Sequence, residues 1–236
     1  MPQPKNLAPN LWIVDQPEFK AGGAKIGTRM TVIKLPNGGL FLHSPIKLDS
    51  QTQQALDALG EVRWVVAPSR AHHLFVSDYM KTWPGAKLYG PPGLIGDIED
   101  FRARFGARRD LKLDATLGDD PQPEWAGEID QHLFKGATGL NEVVFFHRPS
   151  RTAIFTDLVF NMPADFKDAR IFLTIVGGRG NFGPHRLIRL TIRDHKAARE
   201  SVAKILEWDF DRVIVTHGDV LESGGKAKFA GAFSYL

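Results

Sequence analysis

The sequence has 236 residues, of which 43% are apolar and 24% charged, a composition typical of a globular domain with a full-sized core. It contains no cysteine, which excludes disulfides and thiolate metal sites. Any bound metal must therefore be held by histidine, carboxylate or water. The 30 basic and 27 acidic residues nearly balance, so no strongly charged face is expected from composition alone.

Nucleic-acid and membrane partners are not expected. The densest basic stretch, Arg102 to Arg109, is interleaved with Phe101 and Phe105 at helical spacing, as on a solvated helix whose aromatics pack inward. The longest apolar runs, such as Val62 to Pro68 and Arg170 to Val176, are far shorter than a membrane span. With no secretory signal at the N-terminus and no cysteine, we expect a cytoplasmic protein.

The first half of the chain predicts a hairpin followed by alternating helices and strands. Leu11–Val14 and Thr31–Leu35 are typical strands, and turn residues 36–39 lead into a further strand at Leu40–His43. Asp49 or Ser50 can cap a helix that Gly60 ends. The later predicted elements are strands at Val62–Ala67 and Lys87–Tyr89 and helices at Phe75–Thr82 and Leu94–Phe105.

The second half predicts three strands, an irregular segment, a helix and a last strand. Residues 117–125 are typical of a loop, and residues 157–184 are expected to be irregular. The amphipathic helix runs from Asp194, its expected cap, to Trp208. The predicted strands are Ile129–Phe134, Glu142–His147, Thr152–Thr156 and Arg212–Val215.

Three of the buried strands lead directly to residues that bind metals. The strand at Val62–Ala67 leads to His72 and His73, another ends at Asp157, and the last ends at His217. Side chains at strand ends can converge at one edge of a sheet. Imidazole and carboxylate together suit divalent zinc, iron or manganese.

This order of motifs resembles the metallo-β-lactamase superfamily, and the stretches Leu42–Pro45, Ala71–His73 and Trp208–Arg212 resemble a branch of unknown function within it. The family's first loop reads His-x-His-x-Asp-His, followed by a middle histidine, a bridging aspartate and a terminal histidine. The resemblance implies an α/β (α+β) chain folded as one four-layer αββα sandwich over residues 1–236.

The departures from the family pattern imply a reduced metal site. Pro68 and Arg70 stand where the first two histidines belong, and residues 136–139 contain no middle histidine. The resemblance therefore implies a single divalent ion, zinc first and iron or manganese as alternatives. Its ligands would be His72, which stands where the pattern has aspartate, together with His73, Asp157 and His217, which keep their places.

Further residues have predicted roles around this ion. Arg70 is expected to hold an anionic group of a small-molecule substrate or to form a structural ion pair. His185 is a candidate catalytic residue beside Asp157, reaching the site from a loop. Glu142 is a replacement ligand, a general base or simply a residue at a strand start. His43 is expected to support the metal loop by hydrogen bonding.

The function implied is metal-dependent hydrolysis of a small ester, amide, lactone or phosphoester. Two alternatives stay open: a non-catalytic binding or sensing protein on the same fold, and an iron-dependent oxidoreductase. The loss of three family ligands favours the binding protein. The presence of four metal-binding residues at strand ends favours the enzyme.

Overall fold

The computed structural model describes residues 3–94 and 111–236. Within it the chain divides into unit 1, which is residues 1–16 and 29–117, and unit 2, which is residues 17–28 and 118–236. The predicted helix at Leu94–Phe105 and the basic stretch at 102–109 lie, apart from Leu94, outside the described residues. A single domain over 1–236 remains a prediction.

Unit 1 is built on a seven-stranded sheet in the order β1-β2-β5-β6-β7-β8-β9. The hairpin predicted from the turn at 36–39 is confirmed, because β5 and β6 pair antiparallel. From β6 to β9 the neighbouring strands run parallel. The strands are β1 (Lys5–Ala8), β2 (Leu11–Gln16), β5 (Thr28–Lys34), β6 (Gly39–His43), β7 (Glu61–Val66), β8 (Lys87–Gly90) and β9 (Ala115–Thr116).

Two described helices connect the parallel strands of unit 1. Helix α1 (Ser50–Leu59) begins where predicted: the Asp49 carboxylate accepts a hydrogen bond from the Thr52 backbone N–H, and the helix ends at Gly60. Helix α2 (Val76–Thr82) follows the histidine loop. Leu56, Val65 and Tyr79 belong to the apolar cluster between the helices and the sheet. This packing fixes the strand ends from which the histidine loop departs.

Unit 2 is built on a four-stranded sheet in the order β10-β11-β12-β15. The first three strands pair antiparallel, whereas β12 and β15 run parallel. The strands are β10 (Ile129–Leu133), β11 (Val143–His147), β12 (Thr152–Phe155) and β15 (Arg212–Val215), and two short hairpins add β3 (Lys20–Ala21), β4 (Ala24–Lys25), β13 (Phe160–Asn161) and β14 (Phe182–Gly183).

The described helices of unit 2 include three that the sequence analysis does not anticipate. Helix α5 (His195–Glu207) is confirmed, with Asp194 accepting from the Ala197 N–H as its cap. Segment 157–184, predicted to be irregular, contains helix α3 (Arg170–Val176), which corrects that prediction. Helices α4 (Arg186–Thr191) and α6 (Gly225–Ala232) follow. In the described part of the chain, no helix is long and apolar enough to cross a membrane.

Candidate metal centre

The strongest geometric feature of unit 2 is the pair Asp157 and His217. Parallel strands β12 and β15 pair with Phe155 opposite Val215, so both residues lie two positions beyond the ends of adjacent strands. The Asp157 Oδ1 atom is 3.4 Å from His217 Nε2, and both side chains are largely buried. The sheet register itself brings these two predicted ligands together.

The backbone fixes the protonation of the His217 ring. His217 Nδ1 is 2.7 Å from the Gly27 carbonyl oxygen, which can only accept a hydrogen bond, so Nδ1 carries the proton. In the neutral ring Nε2 then presents a lone pair toward a carboxylate oxygen. Two electron-pair donors at this separation are stabilised by a cation between them. A backbone carbonyl holding the far nitrogen is also how metal-binding histidines are usually oriented.

Aromatic rings support His217 within unit 2. Phe160 stacks on the imidazole with ring centroids 5.1 Å apart, and Phe19 stacks at 6.5 Å. Phe160 also contacts His185 edge-on at 4.5 Å. The apolar surroundings lower the effective dielectric around Asp157 and His217, which strengthens any charge interaction there. Sequence reasoning missed Phe19 and Phe160, because neither stands in a recognisable motif.

Gly218 follows His217 for a steric reason. Its φ is +106°, a conformation that disfavours other residues, and a Cβ there would lie 2.2 Å from the Asn161 carbonyl oxygen. The Asn161 N–H donates to the His217 carbonyl, and the Asp219 N–H donates to the Asn161 carbonyl. The close approach of this loop to β13 requires glycine directly after His217.

Glu142 positions the loop that carries Asp157. Its carboxylate is buried and accepts hydrogen bonds from the backbone N–H groups of Thr156, Asp157 and Leu158 at 2.7, 2.9 and 2.8 Å. Burial raises the pKa of Glu142 to about 7, and the charge of Asp157 adds to this, while the backbone bonds lower it. Glu142 therefore lies just before β11 and holds the backbone of residues 156–158 in place. Its roles as a replacement ligand or a general base stay predictions.

His185 lies near the pair but has a different environment. It is the residue preceding α4, is 8% exposed, and interacts electrostatically with Asp157 and His217. Burial lowers its pKa, although the Asp157 charge opposes that shift. Among the described residues its Nδ1 has no hydrogen-bond partner. A buried imidazole beside two candidate metal ligands can accept or pass on a proton.

The loop of unit 1 that carries His72 and His73 is held by serine hydroxyl groups, whereas a backbone carbonyl holds His217. His72 Nδ1 is 2.8 Å from the Ser44 hydroxyl, which stands at the end of β6 with φ +56°. The Ser69 hydroxyl accepts from the His72 backbone N–H at 3.3 Å. His73 is 3% exposed. Ser44 lies in the Leu42–Pro45 stretch, and nothing in the sequence marks its contact with His72, which is 28 residues away.

His43 and Arg70 complete the described surroundings of the loop. His43 is fully buried, and burial together with the charge of His72 lowers its pKa to about 3, so it is neutral at ordinary pH. Arg70 donates a hydrogen bond to the Gly93 carbonyl at 3.2 Å. This contact anchors the guanidinium to the backbone, whereas its predicted contact with a substrate stays a prediction.

The remaining histidines have contacts away from these residues. His147 binds the Ser150 hydroxyl through Nδ1, His132 pairs with Asp119, and His195 is exposed at the start of α5. These contacts are those of structural or surface residues.

Solved structures define the class of the fold. A metallo-β-lactamase from Pontibacter korlensis superposes with a TM-score of 0.66 at 12% identity, over the full length of both chains. The mono-zinc form of FIM-1 from Pseudomonas aeruginosa gives 0.63 at 12%, covering 99% of this chain and 95% of that one. An Erythrobacter litoralis metallo-β-lactamase gives 0.64 at 15%, covering 99% and 96%. The chain has the metallo-β-lactamase fold, which confirms the predicted fold class.

The family follows from the sequence. Residues 9–173 match the family described as Domain of unknown function (DUF4336), and the chain belongs to this family. A comparison with curated proteins gives no match. At 12–15% identity, the solved structures establish the fold and not the chemistry.

Proposed function

We propose that this protein is a metal-dependent hydrolase that uses one divalent ion to act on a small ester, amide, lactone or phosphoester. The observation that carries the proposal is the pair Asp157 and His217, whose Oδ1 and Nε2 atoms lie 3.4 Å apart at the ends of adjacent parallel strands. Gly27 holds the proton on the other ring nitrogen, so in the neutral ring both facing atoms are electron-pair donors.

The donor set fits a divalent metal. His72 and His217 each offer an imidazole nitrogen, and Asp157 offers a carboxylate oxygen. Two imidazoles and a carboxylate are typical ligands of zinc and also suit iron or manganese. We propose these three residues as ligands, with His73 as a fourth on the strength of its place in the family pattern. FIM-1, whose identity to this chain is low, is described in a mono-zinc form, which makes a one-ion site on this fold reasonable.

The chain's own residues would divide the remaining work. A bound divalent ion supplies Lewis acidity and lowers the pKa of a coordinated water. His185, buried beside Asp157 and His217, is proposed to accept or donate a proton at its Nδ1 atom during the reaction. The rings of Phe19 and Phe160, which stack near His217, are proposed to limit the access of bulk water to it. Arg70 is proposed to hold an anionic part of the substrate.

Elemental analysis of protein purified without chelator tests the proposal first. We expect about one zinc ion per chain, and a fall to background in both His72→Ala and His217→Ala, because each removes a proposed ligand. His195→Ala is the matched control, since His195 is exposed at a helix start. Wild-type protein without metal, or variants that keep it, would contradict the proposal.

A hydrolase screen on the metal-loaded protein then tests the reaction. A panel of p-nitrophenyl esters, lactones and bis-p-nitrophenyl phosphate covers the proposed bond types. We expect turnover with at least one class, and loss of that turnover in His217→Ala but not in His195→Ala. Bound metal without any turnover would favour the binding or sensing protein, and bound iron would favour the oxidoreductase.

A further inference from the structure

An exposed apolar surface lies on helices α3 and α4 of unit 2. Seven large apolar side chains are exposed in the described part of the chain, and five of them belong to these two short helices. Four are exposed by 48–78%. The five residues, called here the apolar ridge, are Ile171, Phe172, Ile175, Leu187 and Leu190.

The apolar ridge is the outer face of two helices whose inner faces are packed. Leu173 and Ile188 contact the same apolar cluster as Phe160 and Met162, so both helices are seated on one support. Arg186 at the start of α4 donates to the Ile175 carbonyl near the end of α3, which ties the helices together. Ile171 and Ile175 are four residues apart, so they share one side of α3. The exposed side chains therefore belong to a supported surface rather than to a loose loop.

The charged residues within the segment that carries the ridge have one sign. Residues 169–193 contain five arginines and no aspartate or glutamate. Those at 170, 186, 189 and 193 are exposed. The acidic residues that flank the segment make other contacts: Asp168 pairs with Lys25, and Asp194 caps α5. Arg189 lies 4.3 Å from the Tyr235 ring centroid, which orients one of these cations.

We propose that the apolar ridge and its arginines bind the surface of an anionic lipid membrane. Apolar side chains on one face, with arginines beside them and no acidic residue, are the features of segments that lie in the membrane interface. This proposal departs from the expectation that the protein has no membrane partner. That expectation rested on the lack of a membrane-spanning run, which binding at the interface does not need. A second copy of the chain is a poor occupant, because a two-fold interface would oppose arginine to arginine.

The position of the ridge gives the binding a consequence for unit 2. Phe160 belongs to the cluster beneath the helices and also stacks on His217, and His185 immediately precedes α4. Membrane binding would therefore bring these residues close to the lipid surface. Vesicle binding can be measured without any turnover, so its outcome is independent of the proposed hydrolase.

Vesicle sedimentation tests the proposal with two pairs of variants. The wild-type protein should sediment with vesicles of equal parts phosphatidylglycerol and phosphatidylcholine, and not with phosphatidylcholine alone. Arg170→Glu/Arg193→Glu should weaken partitioning by about 30-fold or more, because each basic residue near an anionic surface contributes about fivefold. Lys226→Glu/Lys228→Glu, on helix α6, makes the same change of charge elsewhere and should have a much smaller effect.

The apolar contribution needs its own comparison. Ile175→Ser/Leu190→Ser should also weaken partitioning by at least about tenfold, because it removes most of the apolar area that these two side chains would bury in the membrane. Leu74→Ser, an exposed apolar position in unit 1, should not. Absence of anionic-vesicle binding would overturn the proposal. Equal vesicle binding by the serine variant would also overturn it and would indicate an acidic macromolecule as the partner. A wild-type dimer that the serine variant cannot form would overturn it as well and would indicate self-association.

Discussion

His72 and His217 both follow a buried parallel strand, but different kinds of group hold their rings. In unit 1, His72 contacts the Ser44 hydroxyl, which can donate or accept and therefore leaves the tautomer open. In unit 2, His217 contacts the Gly27 carbonyl, which accepts only and fixes the proton on Nδ1. The backbone thus determines the chemistry of one histidine, whereas a rotatable side chain orients the other. We expect substitutions in unit 2 to affect folding and metal binding together, and those at Ser44 to affect metal binding alone.

The largest expected effect is that of Gly218→Ala. The new Cβ would meet the Asn161 carbonyl at 2.2 Å in a backbone conformation that disfavours alanine, so the loop after β15 must move. We expect a loss of about 3 kcal/mol or more in the free energy of unfolding, together with loss of bound metal. Chemical denaturation and elemental analysis measure both. Gly231→Ala is the matched control, since a Cβ there meets nothing within 4 Å. Equal stability of the two variants would show that the loop is not constrained as described.

The next effect is that of Glu142→Gln. An amide can accept through one oxygen only, so at least one of the backbone N–H groups at 156–158 would lose its partner in a buried place. We expect a loss of ~1–3 kcal/mol in unfolding free energy and weaker metal binding. Glu200→Gln, at an exposed position on α5, should change neither. Full stability in Glu142→Gln would mean that the Asp157 loop is held by other contacts.

The smallest effect on stability is expected at Ser44. Ser44→Ala removes the hydroxyl beside His72, and loss of such an orienting group typically weakens metal binding by about 10–100-fold. Ser44→Gly removes the same hydroxyl but relieves the positive φ, so it should be at least as stable as wild type with the same loss of affinity. Titration with a competing chelator and thermal unfolding separate the two quantities. If either variant bound metal as tightly as wild type, His72 would not depend on Ser44.

Local sequence signals predicted nine of the described strands, helices α1, α2 and α5, and the two residues beyond β12 and β15. Asp49 and Asp194 cap their helices as short polar side chains do, and apolar runs marked the buried strands. Helices α3 and α6 lack such signals. Each starts after a residue in the left-handed conformation, Ala169 or Gly224, with no side-chain cap. Nothing in the local sequence marks their beginnings.

The partners of the predicted ligands could not be found from the sequence, because they are distant along the chain. Gly27 is 190 residues from His217, and Ser44 is 28 residues from His72. A glycine contributes only its carbonyl to such a contact, so its side chain carries no signal. Glu142 was identified as a candidate, but its role depends on strand register, which brings the carboxylate under the turn after β12.

The Glu142 carboxylate accepts hydrogen bonds from the backbone N–H groups of residues 156–158 and does not bind the carboxylate of Asp157. The backbone of that turn is therefore held by Glu142 rather than by the side chain of Asp157. We expect Asp157→Asn to leave the backbone of this turn in place, because Glu142 binds its backbone N–H groups. As a proposed ligand, Asp157 is therefore the position at which a single substitution would change the preference for one ion over another.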